Sequence, residues 1–143
     1  MKIIGVKIIK RKIIKNKKGN IFKYISNNDS FVKKFGEVYI NELKKRKTKG
    51  WNLHKKNKCY LIVILGSINF HLIDGRKKSR SYNREMKLNL SKSPFRLLII
   101  PPGVWFSFFA PKKYSSIVNF LETVHTDKET QKSEKIKSYL IKN

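Results

Sequence analysis

Three histidines are the side chains of this sequence best suited to proton transfer, because imidazole titrates near neutral pH. His54 lies in a basic segment just before the longest apolar run of the chain, Tyr60–Leu65. His71 alternates with apolar neighbours, which predicts a structural side chain on a strand, and His125 lies close to the polar tail. His54 is therefore the best candidate for a general base, and three histidines this scattered do not define a Ser-His-Asp triad.

Short strands separated by turn signals must position these side chains. One of them, Cys59–Leu65, is almost continuously apolar, as expected of a strand buried on both faces. Many short strands with regular turns predict an all-β sandwich or barrel. The predicted strands are Ile3–Lys12, Ile21–Ile25, Gly36–Leu43, Cys59–Leu65, Ile68–Ile73, Met86–Leu90, Arg96–Ile100, Val104–Phe109 and Ser115–Leu121.

The tail changes character after the last of these strands. Thr126 and Glu129 have the spacing of a capping box, in which each side chain satisfies a backbone N–H of the first helical turn. We therefore expect a β-barrel domain over 1–125 and a short C-terminal helix within 126–143, with a frayed tail as the alternative. One face of that helix would carry Ile136, Tyr139 and Leu140.

The composition favours a single cytoplasmic domain. A length of 143 residues suits one hydrophobic core. The apolar runs are too short to span a membrane, and the N-terminus lacks the pattern of a signal peptide. Cys59 is the single cysteine, which rules out an internal disulfide and fits a reducing compartment.

The formal net charge of +25 has two interpretations. It can serve a polyanionic partner such as nucleic acid, a membrane surface or a phosphorylated ligand. It can also be compositional, because the lysines are spread along the whole chain and arginine, the better phosphate binder, is scarce. We favour the compositional interpretation, with nucleic acid as the less favoured partner.

Several segments resemble the cupin superfamily. Gly50–Lys56 followed by Cys59–Gly66 is similar to the first cupin motif, and Pro101–Phe106 is similar to the second. Phe35–Asn41 resembles the strand before the first motif in the dTDP-4-dehydrorhamnose 3,5-epimerase family, and Asp74–Arg76 resembles the related sugar 3,4-ketoisomerases. The resemblance implies a jelly-roll barrel, a homodimer and action on 4-keto sugars linked to a nucleoside diphosphate, without a cofactor.

Carried over residue by residue, the resemblance keeps only part of the family's catalytic set. The epimerases' catalytic histidine falls at Asn52, and the second histidine of the ketoisomerases matches His54. The family's strand lysine falls at Cys59, and a position that often holds histidine in the second motif is Phe106. One good ligand among these four positions does not make the metal site of other cupins, so no metal is expected.

The resemblance also implies where a sugar nucleotide would be bound. Basic side chains at the barrel mouth would meet the diphosphate, although a solvated loop is an equal alternative for them. An aromatic side chain would stack on the base or sugar, although barrel core is the alternative we favour for the aromatic cluster. The candidates are Arg46, Lys49 and Arg76 for the diphosphate, Trp105 for stacking, and Tyr39, which strand parity points into the barrel.

These observations leave three functions in competition. The first is an epimerase or isomerase acting on a dTDP-4-keto-6-deoxy sugar in surface polysaccharide biosynthesis, with His54 and Asn52 at its catalytic positions. The second is a non-catalytic module that binds the sugar nucleotide after losing the base. The third is a polyanion binder that uses the positive charge.

Overall fold

The computed structural model describes residues 2–133 and residue 136. These residues form twelve strands, and no helix occurs over 2–133. The all-β prediction is therefore confirmed. The strands are β1 (Lys7–Lys10), β2 (Ile13–Ile14), β3 (Ile21–Phe22), β4 (Glu37–Leu43), β5 (Thr48–His54), β6 (Cys59–Leu65), β7 (Ser67–Asp74), β8 (Glu85–Ser91), β9 (Arg96–Ile100), β10 (Val104–Phe109), β11 (Ser115–Leu121) and β12 (Thr130–Lys132).

Ten of the strands form two five-stranded antiparallel sheets. The first sheet has the order β1-β9-β6-β11-β4, and the second has the order β12-β5-β10-β7-β8. Strands β2 and β3 form a separate hairpin. Both large sheets contribute to one buried apolar cluster, to which Val63, Leu98 and Ile117 belong from the first and Phe70 and Phe108 from the second. The two inner faces therefore enclose the core, as in a β-sandwich.

A second, smaller core lies on the outer face of the first sheet. There Tyr60, Leu97 and Phe120 pack against Tyr24 and Phe31, which belong to the loop between β3 and β4. This explains why Cys59–Leu65 reads as a continuous apolar run: its side chains are covered on both faces over Cys59–Val63.

Most predicted strands are confirmed, with changes at their ends. The predicted first strand, Ile3–Lys12, is only β1, because the backbone turns between Ile3 and Val6. No strand was predicted between Leu43 and Cys59, but Thr48–His54 form β5, which contains Gly50. The positive φ of Gly50 and a register shift opposite Phe106 and Ser107 mark a bulge there, which sequence alternation does not reveal.

The predicted helix does not begin at Thr126. Thr130–Lys132 instead form β12, which pairs antiparallel with β5 and so belongs to the second sheet. Glu129 makes no capping box, because its carboxylate is bound by the loop after β5. The barrel thus extends beyond the domain boundary predicted at residue 125. Tyr139 and Leu140, predicted on one face of the helix, lie outside the described residues.

No helix in the part of the chain that the structure describes has the length and apolar character needed to cross a bilayer.

Candidate active site

A cavity of about 440 Å³ opens between the inner faces of the two sheets. Its apolar floor includes Leu61, Phe106 and Phe108. A few polar groups converging over an apolar floor are typical of a small-molecule site. The polar side chains of the lining are Glu37, Tyr39, Asn41, Asn52, His54, Asn119, His125, Thr130 and Lys132.

Asn52 and His54 both point into this cavity, because they lie two residues apart on β5 and strand side chains alternate. The imidazole of His54 is only 5% exposed. It stacks nearly parallel on the ring of Phe106, with 6.0 Å between ring centroids. This stacking orients the imidazole ring and leaves both ring nitrogens available for hydrogen bonds in the ring plane.

Glu129 determines the protonation pattern of His54. The Nδ1 atom of His54 lies 2.6 Å from Oε2 of Glu129, whose side chain is 10% exposed. An ionised carboxylate is an acceptor, so Nδ1 carries a hydrogen, and in the neutral imidazole Nε2 is then the nitrogen with the lone pair. Nε2 makes no hydrogen bond with the described residues, so it is the nitrogen that His54 has available for a ligand in the cavity that it lines.

The loop after β5 keeps Glu129 ionised. The backbone N–H groups of Lys56 and Asn57 both donate to Oε1 of Glu129, each at 2.9 Å. Burial by itself would raise the pKa of Glu129, but these two amides and His54 stabilise the carboxylate and lower its pKa to about 2. Glu129 therefore stays charged throughout the physiological range.

Tyr39 faces the same cavity from β4 in the opposite sheet. Burial, followed by the neighbouring Cys59, raises the pKa of the phenol to about 12. Burial likewise raises the pKa of the Cys59 thiol to about 12. Tyr39 is thus a neutral hydrogen-bond donor near pH 7, and Cys59 is a neutral side chain rather than the cation that the family places there.

His125 completes the wall beside His54, with 5.9 Å between the ring centroids. Its Nε2 atom is hydrogen-bonded to the hydroxyl of Thr130 at 2.8 Å, and its backbone N–H donates to Glu37. Thr130 pairs with His54 across β12 and β5. Its hydrogen bond to His125 therefore holds the second imidazole next to the first.

The five residues predicted to bind the sugar nucleotide separate into two groups. Tyr39 lines the cavity, and the ammonium of Lys49 donates to Asn41, a lining residue, at 2.7 Å. Arg46, in the turn between β4 and β5, is not part of the lining. Its positive φ of 60° and the bond from its backbone N–H to Ala110 give it a role in that turn.

Arg76 and Trp105 also lie outside the cavity. The guanidinium of Arg76 is paired with buried Asp74, at 2.8 Å to each carboxylate oxygen, and donates to the backbone oxygen of Ile4. Trp105 lies on the opposite face of β10 from Phe106 and lines a separate hollow with Ile73. Strand parity therefore excludes Trp105 from stacking in the cavity.

The cupin metal positions do not fit a metal ion. Asn52 offers a weak amide ligand, Cys59 a neutral buried thiol, and Phe106 no donor atom, which leaves only His54. No group of three histidine, cysteine, aspartate or glutamate side chains suited to a metal occurs among the described residues.

The residues of the site that the sequence did not indicate include Asn119, Glu129 and Lys132. Glu129 is 75 residues from His54 and was assigned to a helix cap. Lys132 reaches the cavity only because β12 pairs with β5 and sets it opposite Asn52. Asn119 lies on the same inner face of β11 as Ile117 and Leu121, and this strand parity is the sequence signal that could have identified it.

Comparison with known proteins places the chain in a family of sugar-nucleotide isomerases. The model of the dTDP-4-dehydrorhamnose 3,5-epimerase family matches residues 1–137. The chain belongs to the dTDP-4-dehydrorhamnose 3,5-epimerase family. A search of curated protein sequences finds no match.

Solved structures confirm the cupin-type fold. The dTDP sugar isomerase of Desulfovibrio desulfuricans is 27% identical, with a TM-score of 0.86 over 91% of this chain and 84% of that one. The epimerase RmlC of Legionella pneumophila, solved with dTDP-4-keto-L-rhamnose, is 16% identical, with a TM-score of 0.84 over 92% and 74%. ChmJ, a 3'-monoepimerase from Streptomyces bikiniensis solved as a double mutant with dTDP, is 12% identical, with a TM-score of 0.87 over 98% and 74%.

Proposed function

We propose that this protein is an epimerase or isomerase that moves a proton next to the ketone of a dTDP-4-keto-6-deoxy sugar, in surface polysaccharide biosynthesis. The observation that carries the proposal is the buried His54–Glu129 pair, which presents a basic imidazole nitrogen to the cavity. Family membership supports the sugar nucleotide as the substrate class.

The proposed chemistry needs one base and one hydrogen-bond donor. A C4 ketone acidifies the C–H bonds on the neighbouring carbons, and Nε2 of His54 removes one of these protons. The C–H electron pair becomes the double bond of an enolate, whose negative charge moves to the C4 oxygen. Tyr39 donates a hydrogen bond to that oxygen from the opposite wall and keeps its proton. The His54 imidazolium exchanges its proton with solvent and returns one to carbon as the enolate collapses to the ketone. Atoms and charge balance, because the reaction is an isomerisation.

Glu129 has a positioning role in this scheme. Its carboxylate holds the tautomer in which Nε2 is basic and stabilises the imidazolium once the proton has been taken. Asn52, at the position of the epimerases' base, cannot accept a proton near neutral pH, so we assign it a hydrogen bond to the sugar rather than proton transfer.

Lys132 and Lys49 are the cations placed to meet the diphosphate. Both line a shallow hollow beside Asn52 that adjoins the cavity, and Lys132 lines the cavity itself. They replace Arg46 and Arg76, the more distant predicted cations. Two ammonium groups at one mouth attract a diphosphate by charge, without the fixed geometry that arginine would impose.

Proton NMR in deuterated water tests the proposal. Purified protein is incubated with dTDP-4-keto-6-deoxyglucose, and the sugar C–H signals are followed. We expect the C3 or C5 signal to disappear, or a new keto sugar to form. A spectrum that stays unchanged while line broadening shows the nucleotide to be bound would contradict an enzyme of this specificity.

A non-catalytic sugar-nucleotide module is the second candidate function. The observation that favours it is the loss of the family's base at Asn52 and of its lysine at Cys59. This candidate predicts saturable dTDP-sugar binding without proton exchange. Nucleic-acid affinity that falls steeply with salt, without sugar-nucleotide binding, would instead support the polyanion binder.

We also propose that the protein acts in the cytoplasm as a homodimer. Strand β4 is at the edge of the first sheet. Its outward side chains Val38 and Ile40 are 49% and 61% exposed, beside Phe35 at 71%. A second copy would cover these apolar groups and the open strand edge. Light scattering that gave the mass of one chain would contradict the dimer.

A further inference from the structure

Asn119 connects the backbone of one strand to the phenol of another at the base of the cavity. Its side chain is 2% exposed and lies on the inner face of β11. The backbone N–H of Tyr60 lies 3.1 Å from one end of the amide, and the hydroxyl of Tyr39 lies 2.9 Å from the other end. Asn119 is also directly opposite Tyr39 in the β11–β4 register.

The backbone of Tyr60 fixes which way the amide points. A backbone N–H can only donate, so the atom that faces it must be the amide oxygen of Asn119. The NH₂ group then faces Tyr39 and donates to the phenol oxygen. Rotating the amide would set two donors against each other at Tyr60, at a buried site where an unmade hydrogen bond is costly.

The phenol of Tyr39 is therefore an acceptor towards the protein. This is the only hydrogen bond that its hydroxyl makes among the described residues, so its own hydrogen remains free for a ligand. Without Asn119 in this orientation, the phenol could donate into the protein and would have no hydrogen left for the substrate.

We infer that Asn119 is a positioning residue that keeps the phenolic hydrogen of Tyr39 directed at the carbonyl oxygen of the substrate. The inference rests on the proposed function, because it gives a role to the same cavity. It adds a requirement that the fold alone does not impose: the residue at 119 must accept from Tyr60 and donate to Tyr39.

Asn119→Asp tests this requirement, because aspartate has the same shape with the opposite hydrogen-bond polarity. One carboxylate oxygen still accepts from Tyr60, while the other accepts from Tyr39 and takes its hydrogen. We expect proton exchange to slow by about 100-fold, the scale of general acid catalysis, with dTDP affinity close to wild type. The buried carboxylate should lower the melting temperature, so rates are compared at a temperature where both proteins are folded. Exchange at the wild-type rate would overturn the inference.

Tyr39→Phe shows whether Asn119 acts through Tyr39. In that background the Asn119→Asp change should slow exchange less than about twofold, because the group it disables is already gone. If Asn119→Asp costs the same factor with and without the phenol, residue 119 acts by another route and the inference fails.

The pH profile provides a readout that a merely structural role would not move. Once protonated, the carboxyl group that Asn119→Asp introduces can donate to Tyr39 and restores the native polarity. The ratio of wild-type to variant rates should therefore shrink from about pH 8 to about pH 5, whereas a constant ratio counts against the inference. Other titratable groups occur in both proteins and largely cancel in the ratio. Those facing Tyr39 or sharing its cavity are Tyr24, Glu37, His54, Cys59, His125, Glu129 and Lys132.

A measurement without turnover separates this inference from the proposed function. With ¹³Cζ-labelled tyrosine, the Tyr39 signal is assigned by its loss in Tyr39→Phe. It should shift between wild type and Asn119→Asp as the phenol changes from acceptor to donor, and an unshifted signal overturns the hydrogen bond. Wild-type protein without any exchange would sink the proposed function, whatever the labelled signal shows.

Discussion

The Nδ1 atom of His54 lies 2.6 Å from Oε2 of Glu129, although the two residues are 75 positions apart in the chain. The contact exists because β12 pairs with β5 and sets Thr130, the residue after Glu129, opposite His54. The loop amides of Lys56 and Asn57 then fix the carboxylate. Glu129, which lies outside both cupin-like motifs, is thus the hydrogen-bond partner of the proposed base.

Glu129→Gln should make His54 a poorer base and leave nucleotide binding in the cavity unchanged. The glutamine oxygen can still accept from the loop amides, but its NH₂ group would face Nδ1 and favour the tautomer in which Nε2 carries the hydrogen. We expect proton exchange to fall by about 10²–10⁴-fold with dTDP affinity retained, measured by NMR and calorimetry.

Glu122→Gln is the matched control for that variant. Glu122 accepts from the hydroxyl of Tyr60 and from the backbone of Lys33, outside the cavity. It should leave exchange within about twofold of wild type, as expected of a residue distant from the chemistry. Equal losses in the two variants would show that Glu129 acts only through stability.

Lys132→Ala should weaken dTDP binding by about three- to tenfold, because it removes one of the two cations beside the cavity mouth. Lys128→Ala removes the same charge from a lysine that lines a different hollow. Its affinity should stay near wild type in calorimetry. Equal weakening by both changes would indicate a diffuse field rather than a diphosphate site.

Acid should destabilise the protein partly through Glu129. Its pKa is lowered in the folded state, so its contribution to stability is present above the ordinary pKa of 4.5 and is lost as pH falls towards about 2. Linkage limits this contribution to about 3 kcal/mol. Urea unfolding at about pH 7 and about pH 3 should show a smaller drop for Glu129→Gln than for wild type, and equal drops would contradict the assigned pKa.

Asp74 contributes to the same acid sensitivity at a different place. Burial opposes its charge, but the bonds from Arg76, Ser81 and Ser79 outweigh burial and hold its pKa well below the ordinary value. Because Asp74 is unchanged in Glu129→Gln, the difference between the two unfolding profiles belongs to Glu129.

The sequence predicted the strands well because the strand signal is local. Four strands have the predicted ends, because each has its apolar pattern between turn residues. They are Cys59–Leu65, Arg96–Ile100, Val104–Phe109 and Ser115–Leu121. The pattern also put His54 and Tyr39 inside the barrel, by motif position and by parity.

The rest of the site depends on contacts that no local pattern encodes. Thr126 and Glu129 have helix-cap spacing, yet pairing with β5 makes Thr130–Lys132 a strand and gives the carboxylate to His54. Arg76 has the positive charge to bind a diphosphate, but its guanidinium is already paired with the carboxylate of buried Asp74. Charge and spacing in the sequence thus predicted partners for Glu129 and Arg76 that differ from the ones the tertiary structure gives them.

The proposed function depends on His54 to remove a proton from the sugar. Its most direct test compares wild type, His54→Gln and His71→Gln by proton NMR in deuterated water with dTDP-4-keto-6-deoxyglucose. His71 is a matched control, because it lies on the other face of the second sheet, beside Trp51. We predict loss of the C3 or C5 signal with wild type and with His71→Gln, and exchange slower by at least about 100-fold with His54→Gln despite retained dTDP binding. Exchange by His54→Gln at the wild-type rate would contradict the role of His54 as the base.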